Sequence, residues 1–109
     1  MHTVVIRRDV YKANPWVAQS LAKAFLAAKA KAYASYAQTA AEPAMVPWLT
    51  AHIEEAKREM GEDWWRYGLS SNRHVLETFL RNHHEQGLSA RRLAPEELLA
   101  PETLESFKI

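Results

Sequence analysis

Residues 64–92, WWRYGLSSNRHVLETFLRNHHEQGLSARR, decide the fold. They read as an aromatic loop, a helix and a glycine stop. Leu69, Leu76, Phe79 and Leu80 recur at helical spacing, which makes one face core. Ser70 or Ser71 offers an N-cap oxygen, and Gly87 supplies the left-handed residue that ends helices. The opposite face carries Arg73, Glu77, Arg81 and His84. Trp64, Trp65 and Tyr67 stand just before the helix N-terminus, where backbone N–H groups and the positive dipole end favour an anion.

Upstream, residues 3–6 (TVVI) form a short β-branched, apolar run closed by Arg7, Arg8 and Asp9, which predicts one buried strand. A lone strand cannot satisfy its own backbone, so its partner must be a second copy of the chain or polypeptide outside these residues. Asp9 is placed to cap a short turn over residues 10–13, and Asn14 and Pro15 to start a long helix reaching about Ala41. Val17, Leu21, Phe25, Ala28, Ala32 and Tyr36 give that helix its apolar line, and its alanine surface allows close approach by another element. Lys23, Lys29 and Lys31 lie off the line and read as a solvated face, with Glu42 and Pro43 breaking the pattern.

A further helix is predicted from near Pro47 to the stop at Gly61, with Leu49, Ile53, Ala56 and Met60 inward and His52 at the boundary. Glu54 and Arg58 stand in the favourable i, i+4 order, as do Glu77 and Arg81. Pro95 and Pro101 each fit a first helical position, with Glu96, Glu97 and Glu102 as first-turn carboxylates; Leu98, Leu99, Leu104 and Phe107 would hold this tail to the body. The residues thus predict a mostly α chain: one N-terminal strand, three main helices and a short helical tail.

The 109 residues suit one domain able to bury roughly 65% of its unfolded surface. With no cysteine, disulfides, thiolate zinc sites and a cysteine nucleophile are excluded together. His83 and His84 are adjacent and point about 100° apart on a helix, so they do not share an ion as residues at i and i+4 do. No metal and no cofactor is therefore expected. Lys and Arg total 14 against 13 Asp and Glu, a net charge of +1, and the Arg7-Arg8 and Arg91-Arg92 pairs come without a nucleic-acid recognition motif. No run approaches the ~20 apolar residues of a membrane span and no signal peptide is visible. The expectation is a cytoplasmic protein with neither a nucleic-acid nor a membrane partner.

Trp64, Trp65, Tyr67 and Gly68 can wall a flat ring or plug the space between helices. Arg73 can present its planar fork to a carboxylate or pair with Glu77. Neither choice is settled by spacing.

Taken together, residues 2–9 (HTVVIRRD), Asn14-Pro15-Trp16, Tyr67-Gly68-Leu69 through Asn72-Arg73, residues 76–81 (LETFLR), 84–89 (HEQGLS) and 91–93 (RRL), and Pro95-Glu96-Glu97-Leu98 resemble the C-terminal part of the 4,5-dihydroxyphthalate decarboxylase family. The resemblance covers nearly the whole chain. It implies a type 2 periplasmic-binding-protein-like fold, two α/β lobes joined by hinge strands, of which the chain would be a C-terminal fragment. Such a fragment would be inactive alone and inclined to homodimerise. The reaction implied for an intact family member is non-oxidative loss of one carboxylate from a dihydroxylated aromatic diacid, giving protocatechuate. That chemistry needs a cation for the retained carboxylate, an acid to protonate the ring carbon, and a partner for the para hydroxyl. Within the matching motifs Arg73 suits the carboxylate, His2 or Tyr67 the proton or the hydroxyl, and Asn72 orientation. A solute-binding module for small aromatic anions and a structural self-association domain are the alternatives, because fold alone does not choose among them.

Overall fold

A computed structural model of the chain describes residues 2–41 and 43–104. It contains four α-helices, α1 (Arg8–Ala13), α2 (Trp16–Tyr36), α3 (Leu49–Met60) and α4 (Leu69–Glu85), followed by two 3-10 turns, Pro95–Leu98 and Pro101–Thr103. Among the described residues there is no strand. This overturns the predicted strand over residues 3–6, and the described residues form neither lobe of the two-lobed α/β architecture. The physical reason is local. β-Branched residues favour extended backbone, but a strand exists only where a neighbour takes its N–H and C=O groups. Here Val4 and Val5 are 63% and 87% exposed instead of buried.

The chain divides into two compact units. One is Lys23–Arg66; the other is made by the described residues on either side of it. Helix α2 begins in the flanking unit and continues into the Lys23–Arg66 unit.

In the flanking unit α4 packs against the Pro95–Leu98 turn. Leu69, Leu76 and Leu80 are buried along one face of α4, with Ala18 of α2 and Pro95 also buried. The spacing of the three leucines, seven and then four residues, returns each to the same side of a 3.6-residue helix. Phe79, expected on that face, is 52% exposed and instead lies beside His83, ring centroids 5.6 Å apart. It sits one residue, about 100°, away from Leu80, on the edge of the stripe. Glu54–Arg58 and Glu77–Arg81 also fail to pair: Lys57 and Arg58 reach Glu54 and Glu55 at 3.6 and 3.8 Å, and Arg81 approaches Glu85 at 4.0 Å.

The helix ends correct the expected caps. Arg7, not Asp9, is the N-cap of α1, and Asp9 lies in the first turn holding the Arg7 guanidinium at 2.5 and 2.7 Å. No serine caps α4; the N-cap is Gly68, at φ 89°. Helix α3 starts at Leu49 behind Trp48, a non-glycine residue at φ 56°. The α4 stop is as predicted. Gly87 at φ 73° donates its N–H to the His84 carbonyl at 2.9 Å, and the Leu88 N–H reaches the His83 carbonyl at 3.0 Å, the two bonds of a Schellman ending. Helix α2 stops at Tyr36, earlier than Ala41: the Ser35 hydroxyl donates to the Ala32 carbonyl at 2.8 Å, and the Gln38 N–H bonds Ser35 at the tighter i−3 spacing. Glu42 and Phe107, assigned a helix break and a tail anchor, lie outside the described residues.

Within Lys23–Arg66 no described residue is fully buried. The covered face of α2 there is Leu26, Lys29 and Tyr33, one residue round from the predicted line of Phe25, Ala28 and Ala32. Residues 63–65 account for the rotation. Lys29, expected to be solvated, is only 14% exposed in its side chain and reaches both Asp63 carboxylate oxygens, at 2.8 and 3.0 Å. On α3, Leu49, Ile53, Ala56 and Lys57 are half-buried, whereas Met60 and His52 are exposed.

Candidate functional site

The sequence places three of its four candidates, Tyr67, Asn72 and Arg73, at the entry to α4, and the structure shows how that entry is built. Gly68 adopts a backbone that other residues resist, which lets the chain turn from Tyr67 into Leu69. The turn is held from the helix side by the Asn72 amide, whose Nδ2 donates to the Gly68 carbonyl at 2.8 Å. No side chain caps the first turn and no acidic residue stands in it. The first-turn N–H groups and the positive end of the helix dipole therefore meet no carboxylate of α4 itself.

Arg73 follows one residue later, and its fork is engaged on both arms. One nitrogen donates to Glu77 at 3.4 Å and the other to Glu96, so the guanidinium ties α4 to the Pro95–Leu98 turn. The Glu96 bond is the largest cause of the raised Arg73 pKa, and Arg73 in turn lowers that of Glu96. Glu77 was the partner the spacing offered; Glu96, 23 residues away, was not visible. Tyr67 is 42% exposed just before the helix, and His2 is exposed in the N-terminal segment. All four candidates belong to the flanking unit, with Tyr67, Asn72 and Arg73 inside seven consecutive positions around Gly68.

A second carboxylate–arginine grip follows. Glu97 takes both arms of Arg91 at 2.7 and 2.9 Å and also accepts the Ala94 N–H at 2.8 Å. Ala94 has no side chain with which to return the bond, so this is half of a capping box. Arg91, with the Ala94 N–H second, holds the Glu97 carboxyl down at about 2. Nearer the termini, the Tyr11 hydroxyl donates to Glu102 at 2.7 Å, a bond that raises the Tyr11 pKa. The first-turn acids of the tail thus act structurally, as their positions implied, but through arginine and tyrosine partners that no local spacing announces.

The aromatic run divides. Trp64 stacks on Tyr33 with centroids 4.2 Å apart and planes at 18°, and the Trp65 N–H donates to the Tyr33 hydroxyl at 2.9 Å. That hydroxyl donates to Asp63 at 3.0 Å, and Lys29 also reaches the Trp65 carbonyl at 3.3 Å. Lys29 above all, then the Tyr33 hydroxyl, lowers the Asp63 pKa against the opposing effect of burial. Trp64 is thus the plug of the two readings, within the Lys23–Arg66 unit, while Tyr67 and Gly68 belong to the other. Sequence reasoning missed this network because Lys29 and Asp63 are 34 residues apart. Its one legible sign was a lysine at the spacing of Leu26 and Tyr33.

Among the described residues no group of three His, Cys, Asp or Glu side chains is arranged to hold a metal ion. No described helix is long and apolar enough to cross a membrane.

No protein-family model matches the chain. A curated carboxy-lyase does. Over all 109 residues the chain is 42% identical to 4,5-dihydroxyphthalate decarboxylase of Comamonas testosteroni. The match takes in the whole of this chain and 33% of that relative, its C-terminal third, so the chain spans about a third of the length of the curated relative it matches. Along its whole length the chain is thus similar to the C-terminal third of that decarboxylase.

Proposed function

We propose that the chain serves as the C-terminal part of an enzyme that removes one carboxylate, without oxidation, from a dihydroxylated aromatic diacid. The observation that carries this reading is the identity along the entire chain to a protein named for that reaction. In the reaction a proton replaces carbon dioxide on a ring carbon: the bond between ring carbon and carboxylate breaks, and its electron pair stays with the ring. A hydroxyl para to that carbon makes the ring basic enough to accept the proton first, through a quinoid form. The protein must then hold the second carboxylate, supply the proton and steady the hydroxyl.

The entry to α4 suits the first task. Its first turn has neither acidic residue nor side-chain cap, and Arg73 stands within the next turn. In this reading the retained carboxylate sits at the helix N-terminus and takes over one arm of Arg73 from Glu96. Asn72, tethered to Gly68, keeps the entry in shape. Tyr67 or His2 meets the hydroxyl or the ring carbon, from a phenol beside the helix start or an imidazole in the N-terminal segment.

The test is a chimera in which this chain replaces the C-terminal third of the Comamonas relative, assayed for carbon dioxide release from 4,5-dihydroxyphthalate beside the 109-residue chain alone. Release by the chimera and silence from the chain alone are expected. Tight binding of the diacid without release would favour a solute-binding module, and neither binding nor release would leave a structural domain.

A further inference from the structure

Phe25, Ala28, Ala32 and Tyr36 recur at three- and four-residue steps along α2, all within Lys23–Arg66. That period belongs to a buried stripe. In this chain it faces outward: Phe25 and Tyr36 are 42% and 36% exposed, and Ala28 and Ala32 are exposed between them. The inward face of the same segment is occupied by Lys29 and Tyr33, held by Asp63, Trp64 and Trp65. The helix therefore has two covered-type faces and one cover. Alanines flanked by aromatic rings suit close packing, since small side chains bring helix axes toward the short end of the roughly 8–10 Å range. The unit has no fully buried described residue, and this line adds two part-exposed aromatic rings at helical spacing to its apolar surface.

We propose that the Phe25–Ala28–Ala32–Tyr36 line of α2 is a docking face for an apolar surface of polypeptide equivalent to the other two thirds of the decarboxylase relative. The proposal rests on the reading of the chain as the C-terminal part of such an enzyme. The occupant follows from the comparison: all of this chain corresponds to 33% of the relative, and in the relative the remaining polypeptide is covalently present at high local concentration. A second copy of the chain would have to compete with that tethered neighbour.

Hydroxyl-radical footprinting of the chimera and of the 109-residue chain tests it, reading oxidation of Phe25 and Tyr36. In the chain alone both rings oxidise readily; in the chimera both are protected several-fold. The double variant Ala28→Glu, Ala32→Glu keeps helix propensity close to that of alanine, so its helicity by circular dichroism stays that of the parent while the protection in the chimera is lost. Equal oxidation of the two rings in chimera and free chain overturns the proposal. So does protection that appears in the free chain and grows with its concentration, which assigns the face to a second copy. Carbon dioxide release from a chimera whose rings stay unprotected sinks the docking face alone. Protected rings in a chimera that releases none sink the decarboxylase reading and keep the face.

Discussion

The Glu97 carboxylate grips Arg91 with both of its oxygens, at 2.7 and 2.9 Å, while accepting the N–H of Ala94 at 2.8 Å. The first contact fixes the residues after α4 to the Pro95–Leu98 turn, and the second starts that turn. Because the folded Glu97 carboxyl titrates at about 2, below the usual ~4.3 of an unfolded glutamate, its contribution is fully present above the unfolded value and is lost as pH falls towards 2. Glu96, lowered by Arg73, acts with the same sign. The melting temperature should therefore fall between pH 4.5 and pH 2, on the order of the window these values define. Glu97→Gln should flatten part of that slope, less so in high salt, because both partners are exposed. Thermal melts by circular dichroism at several pH values check it; superimposable profiles would contradict the assignment.

Gly87 closes α4 at φ 73°, and a Cβ built there meets nothing within 4 Å. Substitution is then penalised by backbone conformation alone and not by a clash. Gly87→Ala should destabilise by about 1 kcal/mol, and Gly87→Asn by less, since asparagine tolerates the left-handed region. Urea unfolding reads both variants, and a larger loss for asparagine would argue against this ending.

How far the sequence foretells this structure depends on the range of each interaction. The Gly87 stop, the leucine stripe of α4 and the prolines opening the two tail turns were legible, because each is written within one or two helical turns. Phe79 went wrong by a single position at the stripe's edge, where periodicity loses resolution. The strand expected at residues 3–6 rests on side-chain type alone, and type cannot supply a partner strand. Lys29 reads as solvated because lysine usually is; Asp63, brought in from across the unit, and the Trp65 carbonyl make its burial tolerable. At the candidate site the clustering of Tyr67, Asn72 and Arg73 was visible. Glu96, the residue that competes for Arg73, was not.

The Tyr33 hydroxyl joins two other members of its network, donating to Asp63 at 3.0 Å and accepting from the Trp65 N–H at 2.9 Å. Tyr33→Phe keeps the ring on Trp64 and removes both bonds, so a loss of roughly 1 to 2 kcal/mol is expected. Tyr33→Ala removes the stack as well and should cost more, with a change in tryptophan fluorescence that the phenylalanine variant lacks. Equal effects of the two variants would mean that the hydroxyl is idle.

Leu80 is among the few described residues that are truly buried, at 5% exposure. In a core this small a cavity has few neighbours to relax into it. Leu80→Ala should cost about 2 to 5 kcal/mol, against less than 1 for truncation of the exposed Val75 on the same helix. Comparison of the two urea midpoints decides whether α4 is the keystone of its unit or one helix among equals.

Arg73 stands between two uses of the same charge. As it is, Glu96 and Glu77 hold both arms and the residue joins α4 to the tail. If the retained substrate carboxylate takes one arm, Glu96 is its competitor, and the two substitutions must act in opposite directions. In an active chimera Arg73→Ala should lower kcat/KM about 10- to 100-fold, the worth of a charge-assisted bond of roughly 1.5 to 3 kcal/mol. Glu96→Gln should leave kcat unchanged and lower KM, because the guanidinium no longer has to be pulled from a carboxylate. A purely structural Arg73 predicts the contrary pattern. Both variants would then lose thermal stability together, KM would not fall in either, and the cation for the substrate would have to be sought away from α4.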